Sequence, residues 1–317
     1  MKTQDIFDLA IKEGLRADFR DKQDVKEKLD SEKKNYERLS KKEKSYYDVE
    51  RFKHPYNDSR VHFVTKKNPD IKRILVGIDM EIGEVMLADR LGEKSKPIDL
   101  IFAHHPEGKA FADLAGVMDM LEDLYHRLGV PIHVAENLMK QRISEVHRGV
   151  HPANHMEAIS AAKLLNLSFL NVHTPTDNLV WRYLQELYDK EKPRSVKNVM
   201  DILMDIPEYQ EATRMNAGPQ LVSGAKENRA GKVMVDMTGG TSPHDSIYEE
   251  LSRAGVSTIV GMHFKEPTIK KIKKHHLNVI VAGHHSSDSM GLNLFLDKLE
   301  NKGIEIVPCS GLIRVKR

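Results

Sequence analysis

The sequence predicts an α/β fold preceded by a charged, mainly helical N-terminal segment. Three observations carry that prediction. Short apolar runs rich in Val and Ile recur at residues 73–78, 98–102, 169–172, 232–235, 257–260, 278–282 and 304–307. Runs this short and this β-branched read as buried parallel strands. Stretches of helical length separate them, which is the rhythm of repeated βα units. Three of the runs lead directly into histidine, at His104, His173 and His284. Ligands of open α/β sheets bind just beyond the carboxyl ends of such strands.

Residues 1–70 are read as the N-terminal extension and residues 71–317 as the α/β region. Between Asp21 and Arg51 the chain is dense in Lys, Glu and Asp with scattered Val, Leu and Tyr. That pattern predicts a solvated helix or helical hairpin. Acids interleave the lysines throughout, which argues against a nucleic-acid-binding arm. The strand from Arg73 ends in Asp79, and a helical stretch follows around residues 84–91. After the strand leading into His104, a helix is expected over about 109–128 and a further strand at 131–134. Residues 181–220 show no strand pattern and read as helices with loops.

Composition bounds the function. With 317 residues and 40% hydrophobic content, the chain can bury a large core. Its 49 basic and 47 acidic residues leave a net charge of +2, too weak a field to mark a nucleic-acid or membrane-surface partner. The first residues, Met1-Lys2-Thr3-Gln4-Asp5, are polar and lack the apolar segment of a secretory signal. No run reaches the length of a membrane span. The single cysteine, Cys309, fits a reducing compartment and falls in a strand-like end, where packing is its expected role. A cytoplasmic location is expected.

Sixteen histidines in a chain of this length would form about one adjacent pair by chance. There are three pairs, and His275-His276 lies in a lysine-rich helical stretch without other site features. The other two stand at strand ends. Asp288 follows His284 by four residues, so a helix beginning there puts both side chains on one face. His104, His105, Asp177, His284 and Asp288 are therefore the candidate metal ligands. Imidazole and carboxylate together suit Zn, Fe, Mn or Ni, whereas Ca and Mg prefer all-oxygen shells. Five ligands exceed the needs of one open catalytic ion. Two divalent ions about 3.5–4 Å apart, sharing a carboxylate, use them economically and make a hydroxide nucleophile near neutral pH. Asp177 and Asp288 both suit the bridge.

These residues resemble the GTP cyclohydrolase I type 2 family, also called the Nif-three-like proteins. The resemblance rests on His104-His105-Pro106, on His173-Thr174-Pro175-Thr176-Asp177 and on Gly283-His284-His285-Ser286-Ser287-Asp288, in the family's order. It covers roughly residues 71–299. It implies two α/β lobes around a cleft with a dinuclear metal site bound by His104, His105, Asp177, His284 and Asp288. It also implies ring-like homo-oligomers, often hexamers, and hydrolytic opening of a purine nucleotide ring, although some members are discussed only as metal-binding or interaction proteins. Three features depart from the pattern. Asp288 stands where the family usually has Glu, so its helix must sit closer to the metal. The loop Gly239-Gly240-Thr241-Ser242-Pro243-His244-Asp245 carries an extra histidine and acid, and the charged extension lies outside the common core.

Around this centre, His173 is read as a supporting residue rather than a ligand. His244 and His285 are the candidate catalytic proton donors. His147, His151 and His155 are spaced by four, but Gly149 and Pro152 argue against one continuous helix. Thr238-Gly239-Gly240-Thr241 is compatible with a phosphate loop or a plain βα turn. The expected function is a dinuclear metal-dependent hydrolase acting on a nucleotide-like or phosphorylated small molecule by metal-bound hydroxide attack. The alternative is a non-catalytic metal carrier, sensor or assembly partner. Asp-His-His phosphoesterases fit less well, because Ala103 and Gly283 precede the histidine pairs and Glu81 follows Met80.

Overall fold

The computed structural model describes residues 1–317, with nine strands in two sheets. The first sheet has the order β1-β4-β3-β2-β9, from β1 (Arg60–Phe63), β2 (Arg73–Gly77), β3 (Leu100–Ala103), β4 (Ser168–Asn171) and β9 (Glu305–Pro308). The second has the order β5-β8-β7-β6, from β5 (Gln220–Ser223), β6 (Lys232–Asp236), β7 (Val256–Gly261) and β8 (Asn278–Val281). The helices before β4 are α1 (Thr3–Ala17), α2 (Lys22–Arg38), α3 (Lys41–Lys44), α4 (Ile82–Glu93), α5 (Gly108–Ala112), α6 (Met120–Arg127), α7 (Ile132–Val150) and α8 (Glu157–Leu164). Those after it are α9 (Thr174–Glu191), α10 (Val196–Met204), α11 (Pro207–Arg214), α12 (Ile247–Arg253), α13 (Glu266–Lys274) and α14 (His284–Glu300). None is long and apolar enough to cross a membrane.

The two sheets repeat one plan. In the first, four parallel strands carry the antiparallel edge strand β1 beside β4, and in the second, three carry β5 beside β8. The third parallel strand of each lobe runs straight into a long helix, β4 into α9 and β8 into α14. Asp177 and Asp288 therefore hold equivalent places, each four residues after a histidine that follows a strand.

Strands buried on both faces need apolar residues at successive positions. Ile74, Val76, Leu100, Phe102 and Leu170 point into the large core that also takes in the second sheet. Leu75, Ile101 and Phe169 point into a smaller core with Val85 and Ala88 of α4 and Ile159 and Ala162 of α8. Helix α9 packs against α1, α14 and β6, so it lies between the lobes. Two glycines permit that packing. A Cβ on Gly14 of α1 would stand 2.6 Å from Pro175 Cα, and one on Gly291 of α14 would stand 2.4 Å from Thr176 O.

Residues 1–70 divide by burial. In α2 only Val25 is buried, as the charge pattern predicts. Helix α1 instead buries Ile6, Phe7, Ala10 and Ile11, and β1 completes the edge of the first sheet. The strand expected at 131–134 is the first turn of α7, capped at Pro131. A four-residue apolar run cannot separate strand from helix by periodicity. The helix expected over 109–128 is broken into α5, a 3-10 turn at Leu114–Val117 and α6. Helix α7 continues through Gly149 to Val150 and stops before Pro152, so the expected break falls later than Gly149.

Candidate metal centre

The three histidine-bearing strand ends meet at one end of the cleft between the lobes. His104 and His105 prolong β3: their backbone N–H groups donate to Gly77 O and Ile78 O, both at 3.0 Å, continuing the pairing with β2. Asp177 lies in the first turn of α9, and His284 and Asp288 share one face at the start of α14. Gly283 makes the turn into α14 at φ +108°, where an added Cβ would meet Ser286 Oγ at 2.7 Å.

Each inner imidazole is tied at Nδ1, which leaves Nε2 free to face the carboxylates. His104 Nδ1 donates to Val172 O at 3.2 Å and Thr176 Oγ1 at 3.1 Å. His105 Nδ1 donates to Asp79 Oδ1 at 2.6 Å, and His173 Nδ1 to Asp58 Oδ2 at 2.8 Å. Such partners fix the tautomer and ring orientation of ligand histidines. His104 Nε2 then stands 3.4 Å from both Asp177 Oδ1 and Asp288 Oδ1. On the other side of the same carboxylate, Asp288 Oδ2 faces His105 Nε2 at 3.5 Å and His284 Nε2 at 3.6 Å.

These atoms are buried and unsatisfied. His104 Nε2, Asp177 Oδ1 and both carboxylate oxygens of Asp288 have no hydrogen-bond partner. Buried polar atoms without partners are costly and call for an explanation. Two donors each about 2.1 Å from one tetrahedral ion are about 3.4 Å apart, so the spacing fits donors around a cation. Three groups have donor atoms close enough to hold a metal ion: His104, Asp177 and Asp288; His105, His284 and Asp288; and His104, His105 and His173.

The electrostatics of the free cluster follow from burial and charge. Burial pushes His104 down to about 4, against the pull of Asp288, so the ring is neutral and fit to ligate. Burial opposes the charged form of His105 too, but the facing carboxylate of Asp288 and the bond to Asp79 win and raise it to about 10. Burial lifts Asp177 to about 8, against the nearby His173. It works in the same direction on Asp288, but His104, His105 and His284 together hold that carboxyl well below the usual range.

The sequence-predicted ligands thus converge, and His173 converges with them. Its Nε2 stands 3.6 Å from Asp177 Oδ2. The signal for it was present: His173 and Asp177 have the same four-residue spacing as His284 and Asp288.

The cleft has a volume of about 550 Å³ and is lined by residues of both lobes. His244 and His285 are not in its lining; His244 Nδ1 accepts from Ser246 N at 3.2 Å in the turn before α12. His263, at the end of β7, does line it, stacked on His284 with ring centroids 4.8 Å apart. Asn154 and His155 reach the cleft, whereas His147 and His151 stack on each other along α7 outside it. Asp236, at the end of β6, lines the second lobe's wall, and burial lifts it to about 6. Trp181 packs edge-on against Phe19, as an interlobe packing residue.

Fold and site together define a two-lobed α/β protein with a buried His/Asp cluster that can hold metal ions. The chain belongs to the NIF3 superfamily: it is 30% identical to a NIF3 superfamily protein from Sphaerobacter thermophilus, over 81% of this chain and 92% of that one, with a TM-score of 0.72. It is also similar to HcgD from Methanocaldococcus jannaschii, at 18% identity over 78% of this chain and 87% of that one, with a TM-score of 0.47. The protein ybgI, described as of unknown function, is 14% identical over 89% of this chain and 95% of its own, with a TM-score of 0.47. No protein-family model matches the sequence, and no curated protein does.

Proposed function

We propose that the protein is a dinuclear metal-dependent hydrolase of a small molecule. The observation that supports this most is a set of buried, unpartnered atoms, His104 Nε2, Asp177 Oδ1 and the two oxygens of Asp288, within two groups of donors close enough to hold an ion. His104 and Asp177 would hold one ion, His105 and His284 the other, and Asp288 would bridge them; His173 is within reach to add a donor. When bound, such ions supply Lewis acidity and acidify water near neutral pH.

The chain's own residues supply orientation and proton handling. Asp79, Asp58 and Thr176 hold the three inner rings with Nε2 inward. Of the histidines offered as proton donors by the sequence, neither His244 nor His285 lines the cleft, and we assign that role to His263 beside His284. A metal carrier, which needs no proton donor, is the second reading, supported by the same buried donor groups. The resemblance further supports a homo-oligomer, testable by light scattering.

The test has two stages. Protein purified without added metal or chelator should hold close to two transition-metal ions per chain, and His104→Ala and Asp177→Ala should each hold about half as much. Turnover within a panel of hydrolysable small molecules, absent in Asp177→Ala, would support the hydrolase. A full metal complement with no turnover of any compound would favour the carrier, and no metal after reconstitution with Zn, Mn, Fe and Ni would end both readings.

A further inference from the structure

The charged N-terminal segment encloses a cavity of its own. Helix α1 packs on α9 through Gly14, which meets Pro175, and a second face of the same helix turns elsewhere. That face, with Phe7, Ile11, Lys12 and Leu15, lines a cavity of about 650 Å³. Lys22, Val25, Lys26 and Leu29 of α2 line it too, joined by Glu50 of the 3-10 turn at Val49–Phe52 and by His54 just after it. Spacings of three and four residues put each set on one side of its helix. The volume is that of a small-molecule site. None of its lining residues lines the metal cleft.

Charge is mixed along this segment but not around the cavity. The lining holds six basic side chains and only two acidic ones, Asp8 and Glu50. The α2 acids Asp24, Glu27 and Asp30 all lie off it. Arg16, Arg20 and Lys53 are held by Glu13, Asp18 and Glu50. Lys12, Lys22 and Lys26 are exposed and have no acidic partner. Phe7, Ile11 and Val25 are buried. The cavity therefore offers an apolar floor beneath uncompensated positive charge, the complement of an amphiphilic anion.

A buried donor in the same wall is the second, independent observation. His54 is 5% exposed and stands edge-on to Phe7. Its Nδ1 accepts from Tyr56 N at 3.3 Å, so the proton of the neutral ring is on Nε2. Burial keeps the ring neutral. Nε2 is buried and has no hydrogen-bond partner. It faces Glu50 Oε2, another wall residue, at 3.9 Å, which is beyond hydrogen-bond reach, and Lys53 already neutralises that carboxylate at 2.5 Å. A buried N–H left unmet is costly, and a bound acceptor removes the cost. We propose that this cavity binds a small carboxylate with an aliphatic body, its chain against the apolar faces of α1 and α2 and its head group accepting from His54 Nε2 beside the unpaired lysines. The site is separate from the metal centre and does not depend on the hydrolase reading.

Calorimetric titration of the full chain with decanoate, decylammonium and inorganic phosphate tests this, with metal content measured on the same samples. Decanoate should bind at one site per chain and more tightly than either of the others. His54→Phe should weaken it about tenfold or more, the effect of one hydrogen bond to a charged group. His54→Gln, which keeps an amide donor, should lose less. Lys22→Ala combined with Lys26→Ala, both on the exposed side of α2, should weaken decanoate about threefold. That double variant carries the test if His54→Phe does not fold. Metal content should be the same in all variants. No binding of decanoate, equal or tighter binding of decylammonium or phosphate, or unchanged decanoate affinity in either folded variant would overturn the proposal.

Discussion

His104 Nε2 stands 3.4 Å from Asp288 Oδ1, and neither buried atom has a hydrogen-bond partner. The other oxygen of Asp288 faces His105 and His284, so one carboxylate addresses both halves of the cluster. Removing it should therefore cost more metal than removing a ligand of one half. Asp288→Asn should lose nearly all bound metal, whereas His284→Ala should lose about half, by elemental analysis of protein purified in parallel. Equal losses in the two variants would argue against a bridging Asp288.

Asp58 supports the site from the segment before β1. It is fully buried, accepts from His173 Nδ1 at 2.8 Å and from Thr174 Oγ1 at 2.5 Å, and these partners outweigh burial to keep its carboxyl below the usual range. Asp58→Ala strands His173 and removes a buried ionic partner. The expected cost is about 3–5 kcal/mol of stability and about 10–100-fold in metal affinity. Urea unfolding and competitive chelator titration would measure the two effects separately.

Gly291 sets how closely α14, which carries Asp288, approaches α9, which carries Asp177. Its missing side chain is what lets Thr176 O come so near. The shorter acid at position 288 requires such a close approach if it is to reach the same centre as Asp177. Gly291→Ala should cost about 1–3 kcal/mol through overpacking and should lower metal content as well. A variant that is destabilised but fully metallated would show that the helix spacing does not govern the site.

Stability should fall on acidification for a reason independent of the metal centre. His54 is buried against Phe7, and burial, with Arg60 nearby, holds it down to about 4 from the ordinary 6.5. Its folded pKa is depressed, so the neutral ring's contribution is fully present above about pH 6.5 and is lost as pH falls through about 4. Urea midpoints measured across that window should decline, and the decline should be shallower in His54→Gln. An unchanged slope in the variant would show that other groups carry the acid sensitivity.

The parallel strands and the convergence of the five candidate ligands were legible because both follow from local patterns. A strand buried on both faces must be apolar at every position, and a ligand at its carboxyl end sits at a fixed place in the sequence. The antiparallel edge strands β1 and β5 were not legible: each is only four residues long and mostly half-exposed, so it lacks the apolar signature. Residues 131–134 misled for the opposite reason, since a short apolar run begins a helix as readily as it fills a strand.

The α/β class, the strand-end placement of the histidines and a donor set able to hold metal can be read from the sequence alone. Tertiary contacts were needed to bring His173 into the cluster, to face Asp288 toward both halves, and to put His263 rather than His244 or His285 on the cleft lining. These outcomes depend on how α9 and α14 cross between two similar lobes. That crossing is set by close contacts at Gly14 and Gly291 between residues far apart in the chain, which no local pattern encodes.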